Sequence, residues 1–306
     1  MREWRWQMTQ VNLVVGYLAT PGGADALALA VRFARTLAAE VHICIVLPPD
    51  NAPPGTVPKG GYEEVLAEQA QGWLDDALGL VPDDVVAHTH LSFDESFTDG
   101  LIREALRLQA VAIVVGGAGG GLIGSYSLGS VVNELLHASP VPVAVAPRGT
   151  RDSKVERVHE ITCAIGQRQG SDLLLATAVR ASRAAEIPLR LVSLVALDPT
   201  FGSLRGDTEA VRAHALAHAE RTLEAARNEL PADFPVSSTI VTGPSVEAAV
   251  EQLGWDDGDI IMVGSSRLSA PRRIFLGSTA AKMLRVLDVP MVVVPRDELK
   301  DGEDHS

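Results

Sequence analysis

Short apolar runs alternate with longer alanine-rich stretches along the whole chain. In the first half, the runs that predict β-strands are 11–15, 41–47, 85–91, 111–115 and 141–146. Helical spacing of apolar residues predicts helices between them, near 23–38, 62–79, 95–107 and 128–138. The second half repeats the alternation, with strands near 161–165, 189–195, 236–241, 259–263 and 289–294, and helices near 171–185, 207–229, 244–254 and 277–287.

The strict alternation of strand and helix indicates the fold class. It predicts right-handed βαβ crossovers and a parallel sheet that helices cover on both faces. Runs such as 111–115 are apolar throughout, as is typical of central strands buried on both sides. We therefore expect an α/β fold with two doubly wound domains, each a five-stranded parallel sheet with helices on both faces. Ligands of such sheets bind beyond the carboxyl ends of the strands.

The two halves of the chain are copies of one another. Gly116 and Gly264 each close an apolar run, and they lie 148 residues apart. The same shift superimposes Val31-Arg32 on Val179-Arg180, Gly129-Ser130 on Gly277-Ser278, Val141-Pro142 on Val289-Pro290, and Pro147-Arg148 on Pro295-Arg296. A match without gaps at five places indicates an internal duplication. We place two homologous domains at 1–150 and 151–306, joined by the polar stretch 149–154.

A glycine-rich loop follows the fourth predicted strand. Residues 116–130 read GGAGGGLIGSYSLGS and lead into a predicted helix. Glycines let the backbone approach a ligand closely, and successive N–H groups at a helix N-terminus form a site for anions. The loop contains no Lys or Arg. A phosphate bound there would therefore be held by backbone donors and hydroxyl groups, with a metal ion as a further option.

Two common phosphate-binding motifs do not describe this loop. A P-loop needs Gly-Lys followed by Ser or Thr, and the sequence contains no such tripeptide. Gly119, Gly121 and Gly124 match G-x-G-x-x-G, but a dinucleotide fingerprint opens the first βαβ unit and is followed by an acid about twenty residues later. Here the match follows the fourth strand, and Ala144 stands 20 residues beyond Gly124. A dinucleotide role is therefore disfavoured.

The spacing Gly116-x2-Gly119-x9-Gly129-Ser130, followed by a helix and the strand-like run 140–145, resembles the nucleotide-binding signature of the universal stress protein family. In that family the pattern G-x2-G-x9-G-[ST] wraps the ribose and phosphates of ATP. The resemblance covers both halves, as in tandem members of the family. It implies Rossmann-like domains of the adenine nucleotide alpha hydrolase type.

The resemblance also implies binding residues. It places phosphates near Ser130 and Val131 and adenine near Val46, and the whole expected site is Gly116, Gly117, Gly119, Gly129, Ser130, Val131 and Val46. A weaker second site is expected at Gly264, Arg267, Gly277, Ser278 and Thr279. Arg267 replaces the middle glycine of the motif, where it either blocks the approach of the backbone or pairs with a phosphate. Arg272 and Arg273 either assist it or are solvated charges.

This sequence departs from the family pattern after the first strand of each half. Members that bind nucleotide carry an Asp there, in a D-G-S-like turn. Here Leu18 takes that position, and residues 164–168 of the second half, AIGQR, contain no acid. A polar anchor for the nucleoside is therefore missing in both halves, and we expect binding mainly in the first domain.

The resemblance implies a tandem universal stress protein that binds ATP or a related adenine nucleotide, with or without Mg²⁺, and has a regulatory or protective role in stress response. It further implies that domains pair through their fifth strands. The apolar runs VPVAVAP and VPMVVVP need covering, which supports pairing within the chain and a homodimer between chains. No catalytic residue or resident metal site is assigned, and weak ATP hydrolysis stays open. One alternative is an interaction scaffold of the same fold that binds no nucleotide. Another is an enzyme that hydrolyses or transfers nucleotide.

Composition and charge disfavour two classes of binding partner. Lys and Arg number 26 against 39 Asp and Glu, a net charge of −13, which repels nucleic acid and anionic membranes. Residues 1–11 contain no apolar run that would serve as a signal peptide, so a cytoplasmic protein is expected. Cys44 and Cys163 lie in apolar runs and are interpreted as small buried hydrophobic residues.

Other polar features carry weaker hypotheses. His88 and His90 face the same side of a predicted strand, as metal ligands or as polar residues of a partly covered strand. His214 and His218 share a helical face, but Ala215 stands where a zinc protease needs Glu, so a solvated face is favoured. Residues 48–61 are rich in Pro and Gly and form either a lid or a plain connection, and 297–306 form an acidic tail.

Overall fold

The structure is a computed structural model, and it describes residues 10–49, 62–117, 129–166, 171–196, 208–231, 233–265, 274 and 276–295. The elements of the first half are β1 (Asn12–Gly16), α1 (Pro21–Leu37), β2 (Glu40–Leu47), α2 (Tyr62–Leu78), β3 (Ala87–Phe93), α3 (Phe97–Arg107), β4 (Ala112–Gly116), α4 (Ser130–Ala138) and β5 (Val143–Ala146). Those of the second half are β6 (Glu160–Ala164), α5 (Ser171–Ala185), β7 (Leu189–Ala196), α6 (Thr208–Asn228), β8 (Val236–Gly243), α7 (Val246–Glu251), β9 (Asp259–Gly264), α8 (Ser278–Leu284) and β10 (Met291–Val294).

All ten of these strands form one sheet, in the order β3-β2-β1-β4-β5-β10-β9-β6-β7-β8. Within each half the neighbouring strands are parallel and follow the doubly wound order 3-2-1-4-5. The halves meet where β5 and β10 run antiparallel, with Val145 opposite Met291 and Val143 opposite Val293. The predicted α/β fold with two doubly wound domains is confirmed.

The fifth strands do pair, but inside one chain. β5 is bonded to β4 on its other edge, and β10 is bonded to β9. The pairing expected within the chain is therefore found, and neither fifth strand has an edge left for a second copy. Dimerisation stays a prediction, and it would have to use another surface. In the described part of the chain, the outer edges of the sheet are β3 and β8.

Two hydrophobic layers cover the faces of the sheet. Alternate residues of each strand point to opposite faces, so Leu13 joins one layer and Val14 the other. Helices α1, α2, α5 and α6 close the first layer, and α3, α4, α7 and α8 close the second. Within the described ranges, no helix combines the length and apolarity needed to cross a membrane.

Helix α1 begins two residues earlier than predicted, at Pro21. Proline fits the first position of a helix because its missing N–H would have no partner there. Thr20 caps the helix, and its hydroxyl accepts a hydrogen bond from the amide of Gly23 at 3.2 Å. The start of α1 therefore lies beside the carboxyl end of the sheet.

The connection between the halves is bound along α1. The buried carboxylate of Asp25 accepts hydrogen bonds from the amides of Gly149 (3.2 Å) and Arg151 (3.0 Å), and from Nη1 of Arg151 at 2.9 Å. Further along the helix, Nε of Arg32 donates to the carbonyl of Val155 at 3.1 Å. The connection is thus fixed to the first half by buried polar contacts and is not a loose linker.

Candidate functional site

The candidate site lies where the strand order changes direction. β1 leads to β2 on one side, while β4 leads to β5 on the other, so the carboxyl ends of β1 and β4 form the switch point of the first half. Such a crevice is the usual ligand site of a doubly wound sheet. Gly16 ends β1 and Gly116 ends β4.

An unpaired peptide edge borders this crevice at Val46. The amide of Glu40 donates to Val11 at 2.8 Å, and the carbonyl of Cys44 accepts from Tyr17 at 2.9 Å. Even-numbered residues of β2 therefore direct their peptide groups toward β1. Val46 lies beyond the end of β1, and no described residue forms a backbone bond to it on that side. Its N–H and C=O can bond the edge of a planar base, while its side chain is buried.

Gly116, the first glycine of the motif, serves packing, and Gly117 beside it forms a backbone hydrogen bond. A Cβ at Gly116 would lie 1.9 Å from the carbonyl oxygen of Gly22, in the first turn of α1. The amide of Gly117 donates to the carbonyl of Ala146 at 2.9 Å and is therefore engaged. Gly116 lets α1 sit directly on the end of β4, and this contact shapes the floor of the crevice.

The N-terminus of α4 presents backbone donors. Gly129 is its N-cap and carries no side chain that could cap the helix. The first intrahelical bond runs from the amide of Asn133 to Gly129 at 3.0 Å, so the amides of Ser130, Val131 and Val132 precede it. Ser130 is exposed. Backbone donors, the helix dipole and a hydroxyl group together are what an anion would need at a site without cationic side chains.

Helix α3 contacts both the end of β2 at Val46 and the first turns of α4. A Cβ at Gly100 would lie 2.6 Å from Cγ1 of Val46, so the helix backbone packs tightly on that side chain. Two residues earlier, the hydroxyl of Thr98 donates to Glu134 of α4 at 2.9 Å. The first turn of α3 thus contacts both the end of β2 and the first turns of α4.

The second half repeats this geometry with one difference. The amide of Ile165 donates to Val192 at 2.8 Å, so Leu194 extends past β6 as Val46 extends past β1. Gly277 caps α8, again without a side-chain bond, and exposed Ser278 follows it. The difference lies in the motif, where Arg267 replaces the middle glycine. Among the described residues, a Cβ at Gly264 would meet only Leu174, at 3.6 Å, and residue 170, the counterpart of Gly22, lies outside them.

Several expected site residues lie outside the described residues. These are Gly119 and Arg267, together with Arg272, Arg273 and most of the 48–61 loop. Leu18, at the position of the family Asp, is 44% exposed at the end of β1. Thr279 is half-buried in the first turn of α8.

Sequence analysis missed Gly22 and Gly100, which the structure places against Gly116 and Val46. Both are glycines within helices, a position that disfavours glycine unless a close approach requires it. A glycine inside a predicted helix was therefore the available sign that another group approaches the helix closely. The partners could not be read from it, because each contact joins residues that are far apart in the sequence.

The other candidates take no part in the crevice. Cys44 and Cys163 are free and buried, as expected, and burial raises the pKa of each thiol to about 12. His214 and His218 are exposed on α6. Among the described side chains, no group of three or more His, Cys, Asp or Glu residues could hold a metal ion, so the metal hypothesis for His88 and His90 gains no support.

Comparison with known proteins agrees with this fold. A model of the universal stress protein family matches residues 12–147 and again 158–295. Universal stress proteins of Mycobacterium tuberculosis and Mycobacterium bovis are each 30% identical over 294 residues, covering 93% of this chain and 100% of theirs. The crystal structure of a universal stress protein from Archaeoglobus fulgidus aligns with a TM-score of 0.61 at 17% identity, covering 94% of this chain and 98% of that one.

Proposed function

The chain belongs to the universal stress protein family as a tandem member, and on that premise we propose that its first domain binds ATP or a related adenine nucleotide. The base would lie against the peptide edge of Val46. The ribose and phosphates would follow the glycine loop to the amides of Ser130 and Val131. Binding of this kind suits a regulatory or protective role in stress response.

The observation that carries the proposal is the uncapped N-terminus of α4. A glycine N-cap has no side chain to bond the first amides of the helix, and no described residue accepts from the amides of Ser130 and Val131. A phosphate supplies several acceptors at once. The unpaired edge of Val46 offers the donor and acceptor that the edge of an adenine ring needs. Helix α3 contacts both places through Gly100 and Thr98, which supports a single continuous site.

Backbone geometry has to provide the affinity for phosphate. The whole chain carries a charge of −13, and residues 116–130 include no Lys or Arg. The long-range field opposes an anion, but salt screens it over about 8–10 Å. A Mg²⁺ ion carried by the nucleotide would reduce the repulsion further. We therefore expect Mg²⁺ to strengthen binding.

We propose weaker binding in the second domain. Its helix N-terminus and strand edge match those of the first, at Gly277 and Leu194, but Arg267 stands where the motif has its middle glycine. Neither domain presents a catalytic base or nucleophile that we can assign. The role that we propose is nucleotide-dependent signalling and not turnover, and a scaffold that binds no nucleotide is the alternative that the experiment must exclude.

Calorimetry with Mg-ATP tests the proposal on the full chain. Gly129→Trp places an indole at the N-cap of α4 and should abolish the first-domain component. Gly277→Trp makes the same change at the duplicated position and should leave that component within about twofold. Gly72→Trp, at a glycine with open space around it on α2, serves as the control for a surface indole.

Each outcome separates two interpretations. Loss of the tight component only in Gly129→Trp supports the proposed site. Loss only in Gly277→Trp would show that the second domain is the main binder. No heat from the unaltered protein at millimolar Mg-ATP would leave the scaffold as the better interpretation.

A further inference from the structure

A chain of hydrogen bonds crosses the first half at the end of the sheet opposite the crevice. Nη2 of Arg107 lies 3.3 Å from Nδ1 of His90, and Nε2 of His90 lies 2.8 Å from Nδ1 of His42. Nε2 of His42 lies 3.3 Å from Oδ1 of Asn12, whose Nδ2 donates to the carbonyl of Leu108 at 2.7 Å. This series of hydrogen bonds starts and ends on the C-terminal turn of α3, and it passes through β3, β2 and β1.

The direction of every bond in this chain is determined. A guanidinium group only donates, so Nδ1 of His90 accepts and its proton is on Nε2. That proton bonds Nδ1 of His42, so the proton of His42 is on Nε2 and bonds Asn12. The amide nitrogen of Asn12 then donates to Leu108. Both rings are therefore neutral, and all four ring nitrogens are used.

Among the described residues, the carboxylates nearest to the two rings, Glu40 and Glu104, bond other partners. His88 stacks on His42 at 5.0 Å between ring centroids, and its Nε2 bonds Glu40 at 3.0 Å. On α3, Glu104 is paired with Arg107 at 2.6 Å and accepts from Ser92. Arg103 of α3 pairs with Asp94, which follows β3, and exposed Asp99 lies at the opposite, N-terminal end of the helix.

Burial and the neighbouring histidines lower the pKa of His42 to about 4, and burial and Arg107 lower the pKa of His90. The unfolded values lie near 6.5. The folded state therefore binds fewer protons than an opened state, and acid favours opening below about pH 6.5. A second proton on either ring would turn its accepting nitrogen into a donor. Two N–H groups would then face each other, and that hydrogen bond would be lost.

The duplicated position in the second half provides an internal comparison. Arg190 lies 148 residues after His42, and its guanidinium bonds Glu160 at 2.9 Å and the carbonyl of Leu253 at 3.0 Å. Trp255 packs under it, with the guanidinium carbon 5.4 Å from the ring centroid. Arginine keeps its charge throughout the physiological range. The second half therefore has a fixed ion pair where the first half has two neutral imidazoles.

We propose that the chain Asn12–His42–His90–Arg107 is an acid-sensitive latch that holds α3 on the sheet of the first half and releases it as the pH falls below about 6. Because the first turn of α3 packs on Val46 and bonds Glu134, release also weakens nucleotide binding at the first site. That second clause rests on the proposed function. The latch itself does not.

Hydrogen exchange followed by mass spectrometry tests the latch without nucleotide. Amide protection of α3 is compared at pH 7.5 and 5.5, after correction for the intrinsic pH dependence of exchange. Each proton taken up on opening changes the equilibrium tenfold per pH unit between the two pKa values. We expect protection of α3 to fall at least tenfold, while that of α7 in the second half stays constant.

Two variants separate the latch from general acid sensitivity. His42→Gln/His90→Gln removes both titrating rings and should abolish the pH dependence of α3 protection. His88→Gln changes an exposed histidine that stacks on His42 but takes no part in this series of hydrogen bonds, and it should keep the pH dependence of α3 protection. Should the double variant not fold, the imidazole ¹⁵N shifts of the unaltered protein decide. Neutral rings protonated on Nε2 at pH 7.5 support the latch, whereas a charged His42 above pH 6 overturns it, as does equal protection of α3 at both pH values.

The effect of α3 release on nucleotide binding is measured separately, as the affinity for Mg-ATP at the same two pH values. The double variant corrects for the titration of ATP itself. Loss of affinity at pH 5.5 in the unaltered protein alone supports the coupling. If α3 opens at pH 5.5 but the affinity is equal at both pH values, the coupling between α3 and nucleotide binding is refuted and the latch is retained. If no binding is detected at either pH, the proposed function is refuted, and the exchange result still stands.

Discussion

Replacing Gly116 with alanine should distinguish its packing role from any direct contact with a ligand. The new Cβ would lie 1.9 Å from the carbonyl oxygen of Gly22 and 2.5 Å from its carbonyl carbon. No Cβ contact in a folded protein is that short, so the first turn of α1 would have to move by more than about 1 Å. Both partners are backbone, so no side chain can rotate to relieve the contact.

The magnitude follows from the cost of overpacking. Extra methyl groups in packed cores destabilise proteins by about 1–3 kcal/mol, and a collision between two backbones belongs at the upper end. We therefore expect Gly116→Ala to lower the free energy of unfolding by about 3 kcal/mol. Gly72→Ala is the control, because Gly72 is exposed on α2 and no described atom lies within 4 Å of a Cβ there. It should be neutral or should stabilise the fold by up to about 1 kcal/mol, through the lower entropy of the unfolded chain.

Urea unfolding of both variants, followed by circular dichroism, measures this difference. A shift of the midpoint with an unchanged slope reports stability alone. Equal destabilisation by the two alanines would refute the argument, since a methyl group in open space should cost nothing. A neutral Gly116→Ala would also refute it.

Three further predictions concern other parts of the chain. Asp25→Ala should destabilise the protein by about 3–5 kcal/mol in urea unfolding, because it leaves Arg151 and two amides of the interdomain connection without their buried partner; exposed Asp152→Ala should cost little, and equal costs would contradict the account. A thiol reagent at pH 8 should label neither cysteine in the native state and both after unfolding, since burial raises the pKa of Cys44 and Cys163 to about 12; labelling of the native protein would contradict this. Leu18→Asp restores the carboxylate of the family pattern and should tighten Mg-ATP binding about tenfold, as a charged hydrogen bond would, whereas Leu80→Asp at another exposed leucine should not; unchanged affinity in Leu18→Asp would count against the proposed pose.

Much of the fold could be predicted because it depends on local patterns. Alternation of apolar runs and helical stretches predicts the βαβ order, and the 148-residue repeat predicts two copies. The observed ends of helices and strands differ from the predicted ones by a few residues where local contacts determine them. β3 was predicted at 85–91 and is found at Ala87–Phe93, two residues later at each end, because Val85 closes a turn by bonding Pro82 at 3.0 Å.

The candidate site could be predicted only in part. The motif indicated Gly129 and Ser130, and the structure places both at the open start of α4. The packing role of Gly116 was not predictable, because it depends on Gly22, which is 94 residues away in the sequence. His42 was not singled out either, since a single histidine inside an apolar run gives no sign that two other strands and a helix supply its partners.

A crystal structure of the full chain grown with a non-hydrolysable ATP analogue and Mg²⁺ tests the central claim most directly. The account predicts a nucleotide in the first domain, with its base edge bonded to the N–H and C=O of Val46. It further predicts phosphate oxygens within hydrogen-bonding distance of the amides of Ser130 and Val131. An empty first domain at millimolar analogue, or a nucleotide bound away from the N-terminus of α4, would contradict it.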